Sequence, residues 1–156
     1  MRELHTVPDE VLRTPCKPVN DINDEVKSIA EDLIGYVLAH SKDEVAPVSM
    51  AAPQLGETIR VIVFYPNPVF RERRGIEVLI NPELLKSSKF VILRETCLSI
   101  PGKAFHVKRA TRAKVRGLNI DDRTKTYKAA GLLAQIFQHE IDHLDGKLID
   151  ETGRKI

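Results

Sequence analysis

Five histidines are spread over 156 residues, and two of them, His139 and His143, stand four apart in the run Gln138-His139-Glu140-Ile141-Asp142-His143. On an α-helix, positions i and i+4 are neighbours on one face, so both imidazoles reach a single metal ion. Glu140 projects roughly 100° around the helix from His139, beside such an ion, where a carboxylate exchanges protons with water. The ordinary alternative is a helix with two exposed histidines and an unrelated Glu. Histidine is scarce here and the surrounding helix is well patterned, which favours the metal.

A metal site needs at least one further protein ligand, and an open position for water if it is catalytic. The extended pattern H-E-x-x-H-x-x-G-x-x-H is met as far as Gly146, but Ile149 stands where its third His belongs. Only 13 residues follow His143, too few for a downstream helix carrying a distant Glu. The third ligand therefore lies upstream, which disfavours a metallopeptidase of either common zinc-protease layout. Cys97 is the best candidate, in the run Glu95-Thr96-Cys97-Leu98-Ser99-Ile100-Pro101-Gly102 just after a predicted strand. A strand end is a rigid place to present a ligand. A Cys/His/His set prefers a first-row divalent ion and lowers the pKa of bound water. His106, His40 and Cys16 compete for the role, and Cys97 as a simple buried apolar residue stays open beside them. Two cysteines are too few for a disulfide framework.

These residues need elements to hold them. Residues 1–20, with Pro8, Pro15 and Pro18, read as an extended, turn-rich lead-in. Asn20 or Asp21 is the expected N-cap of a first helix. Apolar residues from Ile22 to Leu38 recur at three- and four-residue spacing and carry it to about His40. Ser41–Val48 reads as a loop, and Arg60–Tyr65 as a β-branched strand halted by Pro66. Glu77–Ile80 and Phe90–Arg94 read as two strands flanking a turn at Asn81-Pro82. Ala113, Val115, Leu118 and Ile120 alternate, with Gly117 as a bulge. Asp121-Asp122 turns the chain into a returning strand near Lys125–Lys128. The last helix is expected over Ala130 to about Leu144, with Leu132, Leu133, Ile136, Phe137, Ile141 and Leu144 as its buried stripe and Gly146 as its stop. Short strands between an early and a late helix indicate an α+β domain, and with no linker or repeat residues 1–156 read as one domain.

Hydrophobic residues make up 42% and charged ones 29%, which excludes a disordered chain, a coiled coil and a collagen-like repeat. No apolar run approaches the roughly 20 residues of a membrane span. The start MRELHTVPDE has neither an apolar secretory core nor the character of a transit peptide, so a cytoplasmic protein is expected. The net charge of +2 is too mild to announce nucleic-acid binding. No nucleic acid and no membrane are expected as partners. The basic cluster Arg71, Arg73 and Arg74 reads as a solvated loop.

Three motifs in order then carry a resemblance. Ala51-Ala52-Pro53-Gln54-x-Gly56, Glu95-x-Cys97-Leu98-Ser99 and Gln138-His139-Glu140-x-Asp142-His143-Leu144-Asp145-Gly146 resemble peptide deformylase, as do Pro8-Asp9-x-Val11-Leu12-Arg13 and Ile100-Pro101-Gly102. The likeness covers nearly the whole chain. It implies an α+β fold of small mixed or antiparallel sheets around a central C-terminal helix carrying H-E-x-x-H. It also implies a hydrolase that removes the N-formyl group from the initiator methionine of nascent polypeptides and releases formate. By resemblance one divalent metal, Fe²⁺ with Zn²⁺ or Ni²⁺ as substitutes, is held by Cys97, His139 and His143. Glu140 then corresponds to the general base and proton donor, and Gln54 with the Leu98 N–H to the oxyanion hole. Ser49, Met50, Gly56, Gln135 and Ile136 fall on the substrate-binding side. N-formylmethionyl peptides are the implied partners, met near the ribosome.

The chain departs from the family pattern where Pro47, Ser49 and Met50 stand for two Gly and a Leu, and where Thr96 follows Glu95. Ser49 keeps the main-chain groups needed for strand addition, whereas Pro47 has no N–H to give. Thr96 is expected to narrow the pocket, and Gln135 is polar where a methionine pocket would be apolar. These departures set up the alternative of a deformylase-like protein with weak, lost or redirected activity that binds peptide N-termini.

Overall fold

Asn23, not Asn20 or Asp21, opens the first helix, because its side-chain oxygen accepts the Val26 N–H at 3.0 Å. In the computed structural model, which describes residues 1–43, 46–69 and 75–156, that helix is α1, Asp24–Ala39. The basic loop read at Arg71, Arg73 and Arg74 lies outside the described residues. Val26, Ile29, Leu33 and Val37 form the face that α1 buries.

Five strands follow one another in the sheet: β1 (Ser49–Ala51), β2 (Val61–Phe64), β3 (Glu77–Cys97), β4 (Ile100–Leu118) and β5 (Thr124–Ala130). All neighbours are antiparallel, and β6 (Gly153–Lys155) also pairs with β4. The expected α+β fold with antiparallel strands is thus present, its strands joined in one six-stranded sheet. The two strands read at Glu77–Ile80 and Phe90–Arg94 are parts of β3, and Asn81-Pro82 is not a turn. Asn81 takes φ +52°, the register shifts between Ile80 and Glu83, and the Asn81 amide grips both main-chain groups of Val19 at 2.8 Å. An Asn-Pro signal has become an irregularity inside a strand, just where β2 ends and an N–H is no longer needed. Gly117 stays in register with Lys125 on β5 but lies opposite the shift that β3 makes between Ile80 and Glu83, so the bulge it marks belongs to β3. A Cβ on Gly117 would stand 2.8 Å from the Ile80 carbonyl oxygen, so the position demands close approach.

The last helix, α2, spans Leu132–Leu144 and begins at Gly131, because Ala129 and Ala130 still belong to β5. Its buried residues are not a single stripe. Leu132 is 43% exposed, while Gln138, Glu140 and His143 are buried with Ile136, Phe137 and Leu144. The helix is therefore central, with core on one side and a polar, buried flank on the other. Phe64, Tyr127 and Phe137 interlock as aromatic neighbours beneath it, ring centroids 4.8–5.4 Å apart. Gly146, at φ +75°, ends α2 where a Cβ would meet the Arg13 carbonyl oxygen at 2.6 Å. Ile149, at the position of a third His, is apolar core in the short helix α3 (Ile149–Thr152).

Candidate metal centre and substrate cleft

Cys97 ends β3, and α2 carries His139 and His143 one turn apart. The Cys97 Sγ and a ring nitrogen of each histidine lie within 4.8 Å of one another, with Sγ 3.4 Å from His143 Nε2. The competing ligands stay away from this group. His40 stacks on Tyr36 at the end of α1, His106 is exposed on β4, and Cys16 is buried in the core cluster beneath α2.

Glu95 stands behind the group on β3. Its Oε1 accepts from His139 Nδ1 at 2.8 Å, which fixes the tautomer and leaves Nε2 free to act as a ligand. Arg109 grips the same carboxylate with two prongs, Nε to Oε2 at 2.7 Å and Nη2 to Oε1 at 2.9 Å, and reaches Asp142 Oδ2 at 2.6 Å. Burial alone would raise the Glu95 pKa. The hydrogen bonds from Arg109 and His139 outweigh it and hold the carboxyl at about 2. Glu95 thus braces a helix and a neighbouring strand. Arg109 and Asp142 escaped the sequence reading; the available signal was that Arg109 shares the inward parity of Phe105 and Val107 on β4.

Glu140 is buried against both histidines, its Oε1 3.8 Å from His139 Nε2 and 4.0 Å from His143 Nε2. Burial pushes its carboxyl up to about 7. Among the described residues, Glu140 Oε2 and His143 Nδ1 have no hydrogen-bond partner. Burial and the neighbouring His139 push the His143 imidazole well below its ordinary pKa, toward the neutral form that ligates. A thiol, two imidazoles and an unpaired carboxylate oxygen converging in a buried site fit a divalent cation of the first transition row.

Gln54 sits in the 3₁₀ turn Ala52–Leu55 that follows β1. Its Oε1 accepts from the Ala51 N–H at 3.0 Å, so Nε2 is turned to Ser99 Oγ (3.2 Å) and toward Cys97 Sγ (3.9 Å). Leu98 occupies the tight β3–β4 connection beside it. These residues border a cleft of about 640 Å³ that is also lined by Ser49, Gln135, Ile136, His139 and Glu140.

A sequence model of the polypeptide deformylase family matches residues 1–155. The chain belongs to that family. It is 42% identical over 151 residues to the peptide deformylase of Dictyoglomus thermophilum, covering 96% of this chain and 90% of the relative. The solved peptide deformylase of Thermotoga maritima matches at TM-score 0.84 and 31% identity, over 97% of each chain. A peptide deformylase from Synechococcus elongatus, solved in complex with actinonin, matches at TM-score 0.85 and 31% identity over 98% of this chain and 79% of that one.

Against the deformylase motifs the departures are absorbed locally. Tyr65 donates to the Val48 carbonyl at 3.1 Å, so by strand alternation the main-chain groups of Ser49 face the cleft. Met50 points the other way and is fully buried with the α1 core, outside the cleft lining. Gly56 also lies away from the cleft: it closes the 3₁₀ turn at φ +85°, against the His5 ring. Both lie outside the cleft lining because side chains alternate along β1 and the turn then leads the chain away. Thr96 pairs with Ala104 just before the register shift at Cys97, and it lines the cleft. Gln135 is polar because its amide donates to Glu95 Oε2 at 3.1 Å.

Proposed function

We propose that this chain is a metal-dependent deformylase that hydrolyses the formamide at the N-terminal methionine of nascent polypeptides and releases formate. The observation that carries this is the Glu140 carboxylate, buried, unpaired at Oε2 and beside a Cys/His/His donor group that borders an open cleft. A divalent cation held by Cys97, His139 and His143 would supply Lewis-acid polarisation and acidify a water molecule. Fe²⁺ is the proposed metal, with Zn²⁺ or Ni²⁺ as substitutes.

The peptide backbone pairs with the cleft edge of β1 at Ser49 and lies beside Ile136 and Gln135. Glu140, held near neutrality by burial, accepts the proton of the attacking water and returns it to the leaving amine. The Gln54 amide and the Leu98 N–H donate to the oxygen on which negative charge develops. Glu95, charged and gripped by Arg109, keeps His139 in its ligating tautomer. The domain acts as one unit in the cytoplasm.

The test is formate release from formyl-Met-Ala-Ser by the Fe²⁺-loaded protein under anaerobic conditions. Glu140→Gln should bind metal as wild type does and lose about 10²–10⁴ in kcat. Near-normal kcat in that variant would remove Glu140 as the base. No turnover by the metal-replete wild type would favour the peptide-binding alternative.

A further inference from the structure

The sheet has a bare face. Side chains alternate along a strand, and on β3 and β4 one set, with Glu95, Val107, Arg109, Ala113 and Val115, turns toward α2. At the β2 end α1 covers the opposite face, through Val61, Val63 and Ile80. Beyond Glu83 nothing among the described residues covers it. The outward residues of β3 there include Lys86, Phe90, Ile92 and Arg94, and they pair with Lys114, Ala110, Lys108 and His106 of β4. Arg112 and Arg116 complete the β4 row; Lys128 on β5 and Arg154 on β6 extend it sideways.

Among the described residues, eight of the chain's 24 basic side chains therefore share one face with a single acid, Glu83, which pairs with Arg116 at 3.3 Å. The molecule's net charge of +2 conceals this separation. The centre is a cross. Lys114 lies directly opposite Lys86 on one side and Lys128 on the other, and between Arg112 and Arg116 along its own strand. Like charges directly opposite on a sheet are destabilising, and none of the three lysines makes an ion pair among the described residues. Such a ladder is costly in the free protein and relieved by an anion lying across the strands. The backbone positions that carry neighbouring cations are about 4.8 Å apart across strands and about 6.7 Å apart along them, a two-dimensional array suited to a chain of phosphates and not to one anion.

The same face carries a stacking platform. Phe90 is 52% exposed and Ile92 63%, and the Lys108 ammonium stands 5.3 Å from the Phe90 ring centroid. Cations tracking a backbone beside an exposed aromatic ring are what a single strand of nucleic acid requires. Exposed hydroxyls interleave with the cations, Ser88 opposite Arg112 and Thr126 opposite Arg116, where a ribose 2′-OH finds donors and acceptors.

We propose that this sheet face is a binding surface for single-stranded RNA that meets the catalytic cleft only at Arg94. The test is fluorescence anisotropy of a labelled unstructured 20-nucleotide RNA against the metal-loaded protein, titrated from 50 to 200 mM salt. Wild type should bind, with log K falling linearly in log salt. Replacing Lys86, Lys114 and Lys128 together by Gln should weaken binding at least tenfold at 50 mM salt and flatten the salt slope by about 2, at about 0.7 per phosphate contact. Phe90→Ala should weaken binding severalfold with the slope unchanged. The triple variant should melt no lower than wild type and keep its activity on a short formyl peptide, so lost binding is not lost fold or a failed active site. Wild type that binds no RNA at 50 mM salt overturns the proposal. So do a triple variant that binds as wild type does, equal affinity for the matching DNA, and preference for vesicles rich in anionic lipid.

Discussion

At the scale of single residues, the decisive arrangement is one carboxylate serving two partners. Glu95 is charged because Arg109 and His139 hold it so, and its charge fixes His139. Glu95→Gln keeps the shape, removes the charge and leaves the buried Arg109 half-paired. The expected result is about 3–5 kcal/mol of lost stability and metal affinity lowered about 10- to 100-fold, read by thermal unfolding and competition with a chelator. Asp142→Asn, which touches the outer, half-exposed prong of Arg109, should cost well under that; equal losses would place the brace at Asp142 instead. The pH dependence follows in sign. The folded pKa lies below the ordinary value, so the charge stabilises the fold above about pH 4.5 and that contribution disappears as pH falls toward 2. Wild type should lose stability across that window, and Glu95→Gln should lose less. The candidate ligands His139 and His143 were legible in the sequence because helical spacing pairs them without any tertiary knowledge. Arg109, 14 residues from Glu95, becomes its partner only through the β3–β4 pairing.

At the scale of elements, α2 substitutes for a strand. β5 covers β4 from Arg112 to Leu118 and β6 covers Phe105–Val107 on the same edge, leaving a gap. The Gln138 side chain fills it: Oε1 accepts from Ala110 N at 2.8 Å, and Nε2 donates to the carbonyls of Ala110 (2.9 Å) and Ala134 (2.8 Å). Gln138→Leu would leave a buried N–H and a buried C=O unpaired, at about 1–3 kcal/mol each. With about 2–4 °C of Tm per kcal/mol in a domain of this size, a fall of roughly 4–24 °C is expected, with faster exchange of the Ala110 amide. An unchanged Tm would mean that the β4 edge needs no cover. Sequence reading located the helices to within a few residues because their apolar period is strong. It split β3 because Lys86–Lys89 is polar on both faces and carries no alternation, a consequence of the bare outer face there. It missed the role of Gln138 because a side chain that completes a sheet has no signature in sequence.

At the scale of the whole molecule, the donor group joins distant parts of the chain. Cys97 closes a hairpin, and His139 and His143 lie on the helix that hairpin wraps, more than 40 residues later. The α+β class was legible in the element order, whereas the single continuous sheet around α2 depends on non-local pairing. Because the donors converge only in the folded chain, a cation bound there stabilises the fold by mass action, about 2.7 kcal/mol at a hundredfold excess over Kd. Chelation should then lower Tm by about 5–11 °C, at 2–4 °C per kcal/mol, and restoring the metal should reverse it. Cys97→Ala should melt at one temperature with or without chelator, having little metal to lose, whereas Glu140→Gln should keep the chelator-dependent shift. A wild-type Tm indifferent to chelation and stoichiometric metal would show that packing alone holds the hairpin against α2, and that the three donors add nothing to the fold.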